Sequence, residues 1–257
     1  MALLSGWELA VGIILLAFVC EYIDSSLGMG YGSTLTPLLL ILGFKPLQIV
    51  PSLLLSEFIA GLMASAFHHR HRNVNLRKGT MDFKIATLMT ACSVVGAVFA
   101  VSIAVRISPF FLKLYIAFIV LSMGIIILAT LGRSFRFSWK KILTLSFFAA
   151  FNKGISGGGY GPIVTGGQIL SGVSSKSAVG ITALAEGLTC LVGVISYLAI
   201  SNHSIDWKLA PYLVVGAVCS VPLATSTVKR IKGQNLKIGV GLAMLLLGLL
   251  TLGRTVL

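Results

Sequence analysis

Charge is what this sequence has least of. Lys, Arg, Asp and Glu make up 11% of its 257 residues, where a soluble domain carries about 25%. With 56% hydrophobic residues and a mean hydropathy of +0.99, an ordinary soluble core is excluded. Residues 1–8 lack a basic n-region and an A-x-A-like cleavage site, so this stretch reads as the start of a membrane helix, not a signal peptide. Cysteines are few and none lies in an exposed loop. Cys20, Cys92, Cys190 and Cys219 fall in apolar segments without metal-site spacing, which argues against a disulfide framework. The apolar segments show no nucleophile triad, acid/base dyad or metal-ligand set. An enzyme, a metal site and a cofactor are therefore not expected.

What is present is a series of apolar runs separated by short basic loops, the pattern of an all-α polytopic membrane protein. The net charge of +13 sits in those loops, as the positive-inside rule requires. Nucleic acid is not the expected partner; membrane lipid is. His68, His69 and His71 lie in one of the basic loops and read as solvated loop residues, not as a metal cluster.

The chain repeats itself. Ser26-Leu27-Gly28-Met29-Gly30-Tyr31-Gly32-Ser33-Thr34 has a counterpart in Ser156-Gly157-Gly158-Gly159-Tyr160-Gly161-Pro162, 129 positions on. The same offset maps Gly28 to Gly157, Gly30 to Gly159, Tyr31 to Tyr160, Gly32 to Gly161 and Glu57 to Glu186. Such repetition fixes architecture before any other reading. Two halves are predicted, 1–132 with helical segments 7–27, 33–44, 46–67, 85–105 and 110–131, and 133–257 with segments 142–155, 162–171, 176–200, 209–228 and 236–253.

Loop charge sets the relative orientation of the halves. The loop 68–84 carries five Lys/Arg and its repeat equivalent 201–208 carries only Lys208. Placing 68–84, 133–141 and 229–237 in the cytoplasm puts 13 basic residues inside and 4 outside. Equivalent loops then face opposite sides, which predicts two inverted-topology repeats with both termini outside. Trp7, Trp139 and Trp207 fall near the predicted interfaces, as an aromatic belt would.

Segment 33–44 is too short, at about 18 Å of helix, to cross a hydrocarbon core of about 30 Å. Both glycine breaks are therefore predicted near the membrane midplane, where broken helices mark the binding sites of secondary transporters. Ser33 and Thr34 are placed to cap the first half-helix, and Pro162 suits the first turn of the second. Two half-helix N-termini aimed at the centre suit a small anion held by backbone amides. Gly28, Gly30, Tyr31, Gly32, Ser33, Thr34, Asn152, Lys153, Gly157, Gly159, Tyr160 and Gly161 are the candidate binding residues, with Glu21 as a secondary one.

Glu57 and Glu186 fall at the same predicted depth as the breaks, where a charge costs roughly 2.5–3.5 kcal/mol. Two readings stand: carboxylates that carry a coupling proton or gate the anion, and neutral glutamic acids that tie the broken helices together. Asp24 and Lys153 are equivalent at the 129 offset and opposite in sign. They either face one another or leave Lys153 free to bind the anion directly. Cys190, four residues after Glu186, shares its helix face and is a candidate contact to a sulfur-containing ligand.

On the doubled glycine-aromatic-glycine breaks, each followed by an apolar run and a Glu, the chain resembles the TauE/SafE sulfite exporter family of bacterial and archaeal membrane proteins. The resemblance implies a multi-pass protein of the cell (inner) membrane that exports small sulfur-containing anions such as sulfite or organosulfonates. Alternating access, with a proton as the coupling ion, is the expected mechanism, and the sequence leaves a homodimer open. The competing reading is an ion channel lined by Gly-Tyr-Gly. Against it, neither Leu27-Gly28-Met29 nor Ser156-Gly157-Gly158 completes the Thr-Val-Gly-Tyr-Gly pattern of potassium filters.

Overall fold

The computed structural model describes residues 6–131, 138–170, 173–200, 205–228 and 233–256. These residues form ten helices and no strand. The first five are α1 (Gly6–Leu27), α2 (Tyr31–Ile41), α3 (Pro46–Arg70), α4 (Met81–Ala104) and α5 (Pro109–Ala129). The second five are α6 (Trp139–Ser156), α7 (Tyr160–Leu170), α8 (Ser175–Ile200), α9 (Ala210–Thr227) and α10 (Gly233–Val256).

Local chemistry starts several of them. Pro46 and Pro109 open α3 and α5, where a missing N–H costs nothing. Gln48 Oε1 accepts from the Lys45 amide at 3.0 Å, and Thr80 Oγ1 accepts from the Phe83 amide at the head of α4. Six helices, α1, α3, α4, α5, α8 and α9, are long and apolar enough to cross a membrane. Their outer faces are apolar as well: Val95 and Phe99 on α4, Phe118 and Ile125 on α5, and Ile195 on α8 are exposed. A helix that is apolar all round belongs in lipid.

Helices α3 and α8 form the centre. In each, 67% of the most apolar window is buried, against 22–44% in the other four long helices. They meet at small residues, where a Cβ on Gly61 would lie 2.9 Å from the Ala183 carbonyl oxygen and 3.0 Å from Gly187 Cα. Around them the pairings recur in the two halves. Helix α1 packs on α9 as α6 packs on α4, α3 packs on α9 as α8 packs on α4, and α5 packs on α10. The short helices α2 and α7, 11 residues each, or about 17 Å, start from the two glycine breaks inside this frame.

Candidate functional site

The glycines of the breaks, three in the first and four in the second, meet two different needs. Gly28 and Gly30 have φ of +70° and +130°, and Gly157 and Gly159 have +73° and +83°. That left-handed region is costly for any residue with a Cβ. Gly32 and Gly161 instead permit contact between the breaks. A Cβ on Gly32 would overlap the Gly157 carbonyl, and a Cβ on Gly161 would overlap that of Gly28. The two contacts are reciprocal, since the 129 offset maps Gly32 to Gly161 and Gly28 to Gly157. The breaks therefore cross backbone on backbone.

Polar groups stitch the crossing. Ser33 Oγ accepts from the Gly159 amide at 2.8 Å, and Thr165 Oγ1 donates to the Gly28 carbonyl at 2.7 Å. Ser33 thus serves the opposite break and not its own helix, contrary to the capping role read from sequence. Helix α2 begins at Tyr31, so Ser33 lies inside it, and no side chain of Gly30 caps it. The Tyr31 amide is met across the break by Asp24 Oδ1 at 3.2 Å. The amide of Thr34, which is itself half-buried, donates to the Gly30 carbonyl. At the second break the Gly158 amide donates to Ser156 Oγ at 3.1 Å. Thr36, the counterpart of Thr165, is fully buried with its hydroxyl unpartnered.

Tyr31 and Tyr160 are the first residues of α2 and α7, and both are completely buried. Their hydroxyls pair with Ser56 Oγ at 2.7 Å and Ser93 Oγ at 3.2 Å. Asn152 Oδ1 accepts from the Tyr115 hydroxyl. Cys190 is fully buried in an apolar cluster with Leu54, Val194 and Tyr197.

The charged residues converge beside the crossing. Lys153, 1% exposed, donates to Glu57 Oε2 and, at 2.8 Å, to Glu186 Oε1. Carboxylate oxygens of Asp24, Glu57 and Glu186 all lie within 4.8 Å of one another. Glu21, one turn before Asp24, accepts from Ser25 Oγ at 2.6 Å. Four of the seven acidic residues in the chain thus surround or adjoin one ammonium. Glu57 Oε1 and Glu21 Oε2 are buried with no hydrogen-bond partner. The ion pairs of Lys153 run to the two glutamates; Asp24, its equivalent in the repeat, turns to the Tyr31 amide.

The histidine reading needs correction. Helix α3 continues to Arg70, and His68 is 0% exposed instead of solvated. Its Nε2 donates to the Ser25 carbonyl at 2.9 Å, and its Nδ1 accepts from Asn73 Nδ2 at 3.1 Å. A carbonyl can only accept, so these partners fix the neutral Nε2–H form. The residues after His68 bend back under the helix end, which shields it. His69 also lies in the last turn of α3, half-buried, with Nδ1 accepting from the Leu76 amide of the loop that follows.

Comparison with known proteins agrees with this architecture. The family model of the sulfite exporter TauE/SafE matches residues 13–251. A probable membrane transporter protein, YtnM of Bacillus subtilis (strain 168), is 24% identical over 256 residues, covering 93% of this chain and 82% of that protein. No solved structure matches the chain. With nearly its whole length matched, the chain belongs to the sulfite exporter TauE/SafE family of membrane transporters.

Proposed function

We propose that the protein is a secondary transporter of small sulfur-containing anions, sulfite or organosulfonates, working by alternating access about the two crossed breaks. In this reading the halves are inverted repeats, the crossing lies at the membrane midplane, and both termini face outside. The observation that carries the proposal is the clamp of Lys153 between Glu57 on α3 and Glu186 on α8.

Electrostatics gives the clamp a mechanism. Among the described residues Lys153 is the buried ammonium beside the crossing, and its donors are engaged by carboxylates. Protonating Glu57 or Glu186 removes a competitor and releases an ammonium donor to the substrate. An anion that arrives without a proton must displace a buried ion pair, which costs several kcal/mol. A proton that arrives without an anion neutralises one of the two glutamates and leaves a buried ammonium donor unsatisfied beside the other, which is also costly. Only the loaded and empty states are balanced, so anion and proton move together. Direction then follows the gradients. The sulfite dianion with one proton moves a net negative charge, so its internal concentration and the inside-negative potential favour export against the proton gradient. A sulfonate monoanion with one proton moves no net charge and follows the two concentration gradients alone.

The amides at Tyr31, Gly158 and Gly159 are each held by a side-chain oxygen. A bound oxyanion would replace those oxygens, as half-helix N-termini allow. The deciding experiment is uptake of labelled sulfite into proteoliposomes. Saturable uptake that accelerates when the sulfite side is made acidic supports the proposal. Uptake indifferent to the pH gradient removes the coupling, and no uptake of sulfite or any sulfonate removes the substrate class.

A further inference from the structure

Two buried side chains outside the charged cluster do the same work in the two halves. Helix α1 ends at Leu27 and α6 at Ser156, and the last four carbonyls of each have no partner within their own helix. In both halves the first of these is closed by the left-handed glycine. The Gly28 amide donates to the Asp24 carbonyl, and the Gly157 amide donates to that of Lys153 at 2.8 Å. The second is met from outside. His68 Nε2 donates to Ser25 O at 2.9 Å, and the Tyr197 hydroxyl donates to Gly154 O at 2.8 Å. The 129 offset maps Ser25 to Gly154 and His68 to Tyr197. An imidazole and a phenol, unlike as side chains, thus fill one role at equivalent places on α3 and α8.

We propose that His68 and Tyr197 are the paired positioning residues of the two breaks. Each pins the carbonyl that directly follows a charged residue of the site, Asp24 in one half and Lys153 in the other. Lys153 reaches Glu57 and Glu186 from the last turn of α6. Its position therefore depends on where the Tyr197 hydroxyl holds that turn. The first tether is the more elaborate. Nδ1 of His68 accepts from Asn73, whose amide also donates to the Thr225 carbonyl at 3.1 Å. That joins the loop after α3 and the end of α9 to the first break. Tyr197, 1% exposed, acts through its single hydroxyl bond.

The tether rests on the transport reading only for its effect on substrate, so the test separates the two. Hydrogen–deuterium exchange of the full chain in lipid nanodiscs is read over residues 25–32 and 154–161. Tyr197→Phe, which removes one oxygen, is expected to speed exchange in 154–161 about tenfold and to leave 25–32 unchanged. His68→Asn should do the converse, because its shorter amide cannot reach Ser25 O. His68→Gln places a nitrogen where Nε2 was and should restore the wild-type rate. Unchanged exchange in both single variants, acceleration spread evenly over all helices, or failure of His68→Gln to rescue would each overturn the assignment. If wild-type protein carries sulfite, Tyr197→Phe should also raise the apparent KM about tenfold with the maximal rate retained. An unchanged KM alongside altered exchange would overturn the link from Tyr197 to Lys153 while leaving the tether. Absence of any sulfite transport would count against the substrate reading alone.

Discussion

Lys153 Nζ lies 2.8 Å from Glu186 Oε1, and both side chains are at most 5% exposed. The same ammonium also holds Glu57, so a single cation joins α6 to both central helices. Breaking a buried pair by deleting one partner costs about 3–5 kcal/mol, because the remaining charge stays buried. Lys153→Met is therefore expected to lower the thermal midpoint clearly in detergent and to abolish sulfite uptake. Combining it with Glu57→Gln and Glu186→Gln should recover most of the midpoint and none of the transport. Recovery of transport in the triple variant would show that Lys153 is a structural counterion only.

Coupling can be tested on the carboxyls separately. If protonation of Glu57 releases Lys153, Glu57→Gln mimics the protonated state permanently. Uptake by that variant should lose most of its acceleration by an acid gradient while still saturating with sulfite. Glu186→Gln should behave alike, since the two glutamates grip one ammonium. A wild-type pH response in both variants would remove these residues from the coupling.

The glycines should separate by mechanism. Ala at Gly159 meets only a left-handed φ, with Ile119 the nearest side chain at 3.3 Å, and is expected to cost about 1–2 kcal/mol. Ala at Gly161 would drive a methyl into the Gly28 carbonyl, and the breaks could cross only by moving apart. Gly161→Ala should therefore lose substrate binding far more completely than Gly159→Ala, with both still inserted in the membrane. Gly79→Ala is the control: its φ is +94° but the space around it is open. Measured by sulfite binding to purified protein, equal losses at Gly159 and Gly161 would count against the crossing.

Much of the fold was legible because hydropathy and glycine punctuation act locally. The expected segment 46–67 is α3 up to its last turn, and 176–200 is α8 within one residue. Partnerships were harder to read. The repeat offset paired Asp24 with Lys153, yet equivalent positions need not face each other. A long lysine reaches past its counterpart to mid-helix glutamates, while a short aspartate serves the nearest amide. Ser33 was misread because α2 starts two residues earlier than expected. That shift moves its hydroxyl from a capping position to the opposite break. His68 was hidden by its basic neighbours, which suggested water. Its match to Tyr197 at the 129 offset was the signal that could have revealed it.

The inverted orientation rests on loop charge and has its own test. Lys84 and Lys208 are equivalent at the 124 offset that relates the later parts of the two halves, within Asp82-Phe83-Lys84 and Asp206-Trp207-Lys208. Both are exposed, one in the first turn of α4 and the other just before α9. Parallel repeats would put them on the same side of the membrane; inverted repeats put them on opposite sides. Single cysteines K84C and K208C, with the four native cysteines replaced by alanine, can be probed in intact cells with a membrane-impermeant maleimide. Lys84 belongs to the loop rich in basic residues, so K84C should be protected until the membrane is opened, whereas K208C should label at once. Labelling of both from one side would make the halves parallel. The crossed breaks would then lose the symmetry that lets one site face each side of the membrane in turn.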